Sequence, residues 1–171
     1  MSEQSKQKVV LLGGYGGSGK STLIGGVINH YGYGTNLDFD IINQRRGVFD
    51  PTNITRSRKI IEKVSENDFP QSLTKAIEAG DPLIIAAATF VQRNFRDMIL
   101  TTLEPFRDQI ALYPIILMLP MKETIDRVKR GRIGMAHLVN DTTIVDFYRK
   151  DNRNFRTDDH SDLLLPTDRD T

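Results

Sequence analysis

Residues Gly14-Tyr15-Gly16-Gly17-Ser18-Gly19-Lys20-Ser21-Thr22 follow the apolar run Val9-Val10-Leu11-Leu12 and lead into Leu23, Ile24, Val27 and Ile28, which recur at helical spacing. The stretch reads as strand, glycine-rich loop and helix, with the G-x-x-x-x-G-K-[ST] spacing of a phosphate-binding P-loop. Each residue type has a reason. Glycines let successive backbone N–H groups curl round a polyphosphate, and the dipole of the following helix favours negative charge there. In such a loop Lys20 reaches the β- and γ-phosphates, and the Ser21 hydroxyl ligates Mg²⁺. The spacing calls for a nucleoside triphosphate held by Gly14 to Thr22.

With 171 residues the chain is long enough to bury a core and is expected to form one domain, 1–171, with frayed ends at 1–7 and 167–171. It contains 39% hydrophobic and 26% charged residues, as ordinary globular proteins do, and no cysteine, which excludes disulfides and zinc-thiolate sites. The N-terminus is polar and lacks an apolar signal core, and no stretch approaches the ~20 apolar residues of a membrane span. A cytoplasmic protein with no membrane partner is expected. A net charge of +1 gives no global drive toward nucleic acid, yet fourteen of the 23 basic residues are arginine. They cluster at Arg45-Arg46, Arg56/Arg58, Arg93/Arg96, Arg127/Arg130/Arg132 and Arg149/Arg153/Arg156. Such clusters either bind phosphate bidentately or line solvated helix faces.

The first strand is expected at about 8–12, a helix at 20–30 and a short second strand at 35–39. Helices are expected at 54–64 and 69–79, the latter stopped by Gly80-Asp81-Pro82. Leu83 to Ala88 is a continuous apolar run that suits a strand buried on both faces. A helix over 93–103, a second buried strand over 110–119 containing Pro114, and helices over 121–130 and 142–152 follow. Leu163 to Leu165 would make a final strand. Alternating strands and helices with apolar interior strands predict an α/β fold, a parallel sheet with helices on both faces. Ligands of such sheets bind at the C-terminal strand ends.

The loops after the strands carry the candidate chemistry. After strand two comes Asp38-Phe39-Asp40, whose carboxylates strand alternation would put on one side. There a carboxylate can accept a hydroxyl proton or orient Mg²⁺ waters during phosphoryl transfer. Asp40 is preferred as base, with Asp38 the other choice or a metal contact through water. Strands three and four end without an acid, and no guanine-reading Asn-Lys-x-Asp occurs, which disfavours motor ATPases and GTPases. After strand four, Arg127 and Arg130 share a helix face and precede a loop, 131–140, with hinges at Gly131 and Gly134; they are read as arginines of a lid that closes on the phosphates. The alternative is a solvated helix end complementing its dipole.

Together these residues resemble the small P-loop kinases of the polynucleotide kinase and zeta-toxin kind. The resemblance covers about 8–166 and rests on Gly14 to Thr22, Asp38-Phe39-Asp40, Thr89 with Arg93, Leu119-Pro120 leading to Arg127-x-x-Arg130, and the closing Asp162 to Asp168. It implies five parallel strands in the order 2-3-1-4-5, ATP and Mg²⁺, an aspartate base after strand two and a lid arginine. In polynucleotide kinases an arginine follows the base aspartate by three residues. Here that position is Asn43, with arginine only at Arg45 and Arg46. Arg45, Arg46, Thr89 and Arg93 are the expected acceptor contacts. The expected activity is transfer of the γ-phosphate of ATP to a hydroxyl of a nucleic acid or nucleotide, one version being a phage enzyme acting on hydroxymethylated bases in DNA. A small-metabolite or nucleotide-sugar kinase and a non-catalytic ATP-binding regulator are the alternatives.

Overall fold

The computed structural model describes residues 6–14, 17–46, 60, 62–88, 93–117, 120, 122–123 and 126. They form β1 (Gln7–Gly14), α1 (Lys20–Tyr31), β2 (Thr35–Asp38), α2 (Phe39–Arg45), a π-helical turn (Val64–Asp68) running into α3 (Phe69–Glu78), β3 (Leu83–Ala87), α4 (Arg93–Leu103), a 3₁₀ turn (Glu104–Phe106) and β4 (Ile110–Leu117). The strands make one parallel sheet in the order β2-β3-β1-β4. This is the expected α/β architecture. The fifth strand, the helix over 142–152 and the 131–140 lid lie outside the described residues, as does most of the 54–64 helix.

Burial explains the layers. In β3, Leu83, Ile85 and Ala87 face one side of the sheet and Ile84 and Ala86 the other, and all five are buried. On the first side they pack with Leu12 and with Ile24, Val27 and Ile28 of α1. On the second, Val9 and Leu11 of β1 join Phe69, Leu73 and Ile77 of α3 and Ile99 and Leu103 of α4. Each fully buried side chain of this size contributes about 1.5–3 kcal/mol of transfer free energy. Phe39, Phe69 and Phe95 meet with ring centroids 5.6–5.8 Å apart, tying α2, α3 and α4 into one corner.

Three expectations need correction. Strand β1 begins at Gln7 rather than after a frayed 1–7, because the Gln7 Nε2 donates to the carbonyls of Ile77 and Asp81. Strand β2 ends at Asp38, and Phe39 already belongs to a helix, so strand alternation does not relate Asp38 to Asp40. Strand β4 is not buried on both faces: Tyr113 and Ile115 are exposed. It is an edge among the described strands, which is where a proline such as Pro114 costs least.

Candidate active site

All four strand ends point the same way, so the P-loop after β1 and the turn after β2 share one rim of the sheet. Gly14, Gly17 and Gly19 adopt φ of 139°, 79° and 95°. At Gly14 a side chain is also excluded by space, since a Cβ there would lie 2.7 Å from the Leu117 carbonyl oxygen and from Ser18 Oγ. The first loop glycine is thereby seated against the end of β4. Tyr15 and Gly16 lie outside the described residues. Ser18 is buried, and its hydroxyl has no hydrogen-bond partner among the described residues. Gly19 precedes α1, while Ser21 and Thr22 sit exposed in its first turn.

Lys20 Nζ donates to the Gly14 carbonyl at 2.9 Å. Burial lowers its pKa from the ordinary lysine value, with Asp40 first and Asp38 second pulling the other way. The two carboxylates after β2 therefore stand within electrostatic reach of the loop lysine. Their situations differ. Asp38 is 4% exposed and occupied on both oxygens: Oδ2 accepts the Ser21 hydroxyl at 3.0 Å, and Oδ1 accepts the Asp40 backbone N–H at 2.9 Å. The second bond is a helix N-cap, Asp38 receiving an otherwise orphaned amide of the first turn of α2, and it is what turns the chain out of the strand. Asp40 is open to solvent. Its pKa is raised, first by desolvation and then by Asp38, with Lys20 opposing.

The donor set fits Mg²⁺. One hydroxyl and one carboxylate 3.0 Å apart beside a phosphate loop suit an ion that keeps several waters and takes few protein ligands. Among the described residues no group of three or more His, Asp or Glu side chains is placed to hold a metal by itself.

On the acceptor side, Asn43 follows Asp40 by one turn of α2, is 4% exposed, and has an Oδ1 with no partner among the described residues. Arg45 is exposed, and Arg46 pairs with Asp68 at 2.8 Å. Arg93 opens α4. Arg96, grouped with it in the sequence, is 1% exposed and so does not line a solvated helix face. Nothing in the residue spacing distinguished a buried Arg96 from an exposed one. Thr89, Arg127 and Arg130 lie outside the described residues.

No protein-family profile matches the chain. No curated protein matches it significantly by sequence. Solved structures match it in fold. A chain of the Pnkp1/Rnl/Hen1 RNA repair complex superposes with a TM-score of 0.64 at 16% identity over 92% of this chain. The present chain spans 48% of that protein's length. The fold is that of the small P-loop kinases. Shikimate kinase from Acinetobacter baumannii, in complex with shikimate, superposes with a TM-score of 0.57 at 17% identity, covering 90% of this chain and 80% of its own. A putative kinase from Chloroflexus aurantiacus gives 0.60 at 12% identity, covering 88% and 98%. Among the described residues no helix is long and apolar enough to cross a membrane.

Proposed function

We propose that the protein is an ATP-dependent kinase that transfers the γ-phosphoryl group to a hydroxyl of a nucleic-acid or nucleotide-type acceptor. The observation that carries this reading is the division of labour between Asp38 and Asp40. A protein that only binds nucleotide has no use for a second, open carboxylate with raised pKa beside the loop lysine. Asp40 takes the proton of the acceptor hydroxyl as its oxygen attacks the γ-phosphorus, and the bond to ADP breaks. Lys20 leaves the Gly14 carbonyl to engage the β- and γ-phosphates, while the amides of Gly14 to Thr22 cradle the chain of phosphates. Ser21 would hold Mg²⁺, with Asp38 reaching it through water. When bound, the ion supplies neutralisation of charge on the β- and γ-oxygens. Asp38, with both oxygens engaged, serves poorly as a base, which assigns that role to Asp40. Arg127 or Arg130 closes on the transferring group, and Thr89, Arg93 and Arg45 contact the acceptor. The compartment is the cytoplasm.

The similarity to a chain of an RNA repair complex supports a nucleic-acid acceptor, and phosphorylation of hydroxymethylated DNA bases is one version of that reading. A second reading, a small-metabolite kinase, is favoured by the acceptor side itself. Asn43 stands where polynucleotide kinases carry an arginine, and Arg46 is engaged with Asp68, which leaves less positive charge for a polyanionic acceptor such as a nucleic acid. The similarity to shikimate kinase points the same way. Incubation with γ-labelled ATP and a panel of acceptors separates the readings. Label in 5′-hydroxyl oligonucleotides or modified-base DNA supports the first, and label only in small hydroxylated compounds the second. ATP binding with no label in any acceptor would leave a non-catalytic regulator.

A further inference from the structure

We propose that Asp38 is a positioning residue that couples occupancy of the nucleotide site to the orientation of Asp40, because its two oxygens are divided between the Ser21 hydroxyl and the Asp40 amide. The inference rests on the phosphate-loop reading above and goes beyond it by linking the two halves of the site.

The geometry leaves Asp38 little freedom. Its backbone is the last rung of β2, registered opposite Ala87 of β3, and both residues are buried. The carboxylate projects from this fixed point, Oδ2 receiving Ser21 Oγ at 3.0 Å and Oδ1 receiving the Asp40 nitrogen at 2.9 Å. Ser21 lies in the first turn of α1 and Asp40 in the first turn of α2. One rigid carboxylate thus joins the N-terminal turns of the donor helix and the acceptor helix. A carboxylate held by two donors is pinned in rotation about its terminal bond, and loss of either donor frees it.

With a cation at Ser21 this link would be strengthened rather than broken: the hydroxyl proton would stay directed at Asp38, and a metal-polarised hydroxyl is a better donor to a carboxylate. The tightened carboxylate then holds the Asp40 amide more firmly, which fixes the start of α2 and the direction of the Asp40 side chain. Coupling of this kind is reciprocal: an acceptor that orders Asp40 tightens Mg²⁺-nucleotide binding by the same factor.

The experiment needs no knowledge of the acceptor. Hydrogen exchange of the Asp40 backbone amide is followed by NMR in the full chain, with ADP alone and with ADP and Mg²⁺ at saturation. In the wild-type protein Mg²⁺-ADP is expected to slow exchange at Asp40 by about fivefold or more, the lower end of ordinary coupling free energies. ADP with a chelator should slow it less. Ser21→Ala, which removes one of the two donors, should lower the protection seen without nucleotide and lose the increment, even at Mg²⁺-ADP concentrations that saturate the variant. Asp38→Asn, nearly isosteric, should reduce both, and its fold is checked by the protection of β1 and β3 amides. If wild-type protein saturated with Mg²⁺-ADP exchanges Asp40 at the unliganded rate, or if Ser21→Ala retains the full increment, the coupling is refuted while the nucleotide site stands. Failure of Mg²⁺-ADP to bind at all overturns the phosphate-loop reading and the coupling together.

Discussion

Helices α1 and α3 cover opposite faces of the same sheet and are held there by different means. Helix α3 presents Phe69, Leu73, Ala76 and Ile77, spaced at i, i+4, i+7 and i+8, and all are buried. Helix α1 buries only Ile24, and Gly25 and Gly26 on its length have nothing within 4 Å of where a Cβ would stand. Val27 and Ile28 add partly buried contacts, and its first turn is tied across to β2. Gly19 accepts the Leu23 amide at one end, Gly32 donates to the Ile28 carbonyl at the other, and Ser21 is bonded across to Asp38. Helix α3 is held by a broad apolar face, and α1 by a narrower one together with the Ser21–Asp38 bond of its first turn. Stability and activity are therefore expected to respond to different substitutions.

The largest effect should come from the anchoring side. Phe69→Ala removes a ring that joins α2, α3 and α4, and should cost about 3–5 kcal/mol in urea unfolding, as large-to-small core changes do. A loss below 1 kcal/mol would mean that α3 is not the anchor. On the catalytic side, Asp40→Asn should lower phosphoryl transfer by about 10²–10⁴-fold, the usual range for a lost general base, with nucleotide affinity retained. Its effect on stability should be opposite in sign. Asp40 has a raised pKa in the folded state, so between the ordinary and the raised value the folded protein binds more protons than the unfolded one. Its stability falls as pH rises through that window. Asp40→Asn should abolish this contribution and unfold no more readily than wild type at neutral pH. The acid limb of the wild-type activity profile should lie above the ordinary aspartate range and vanish in the variant. Gly14→Ala, at φ 139° and 2.7 Å from the Leu117 oxygen, should cost about 1–3 kcal/mol of strain and weaken nucleotide binding, read by thermal melts with and without Mg²⁺-ADP. The smallest effect is a gain: Gly26→Ala should stabilise the protein by about 0.5–1 kcal/mol with no change in nucleotide affinity. A loss instead would show that the surface of α1 at Gly26 is packed.

What was legible in the residues follows the same division. Helix α4 falls at 93–103 as its pattern and flanking residues predict, and β3 was recognisable from its unbroken apolar run. Both signals are burial written directly as residue type. The turn after β2 was misread because Phe39 fits strand alternation as well as it fits the first position of a helix. The deciding signal was Asp38 as an N-cap, which depends on where its carboxylate points and not on hydrophobicity. Strand β4 was misread for a related reason: an apolar run reports what a strand can bury, not whether it has neighbours on both sides. Asn43 and Arg96 gave no signal at all, since a polar residue in a helix is buried or exposed according to packing from elements distant in sequence. The glycine-rich loop is local in sequence, whereas the surroundings of Asn43 and Arg96 are assembled from separate segments.

The central place of β1 bears on how the chain is made. Gln7 pairs with Ile110 and Gly14 with Leu117 on one side, while Lys8 to Leu12 pair with Leu83 to Ala87 on the other. During synthesis the strand that carries the phosphate loop emerges first and is completed last, waiting for two partners that the ribosome has yet to deliver. Until then Val9, Leu11 and Leu12 lie on an open backbone edge, the kind of segment that invites the wrong neighbour. Parallel pairing across so much intervening chain is slow to form. The protein is therefore expected to gain its nucleotide grip late and abruptly, when residues 110–117 dock and close the sheet around β1.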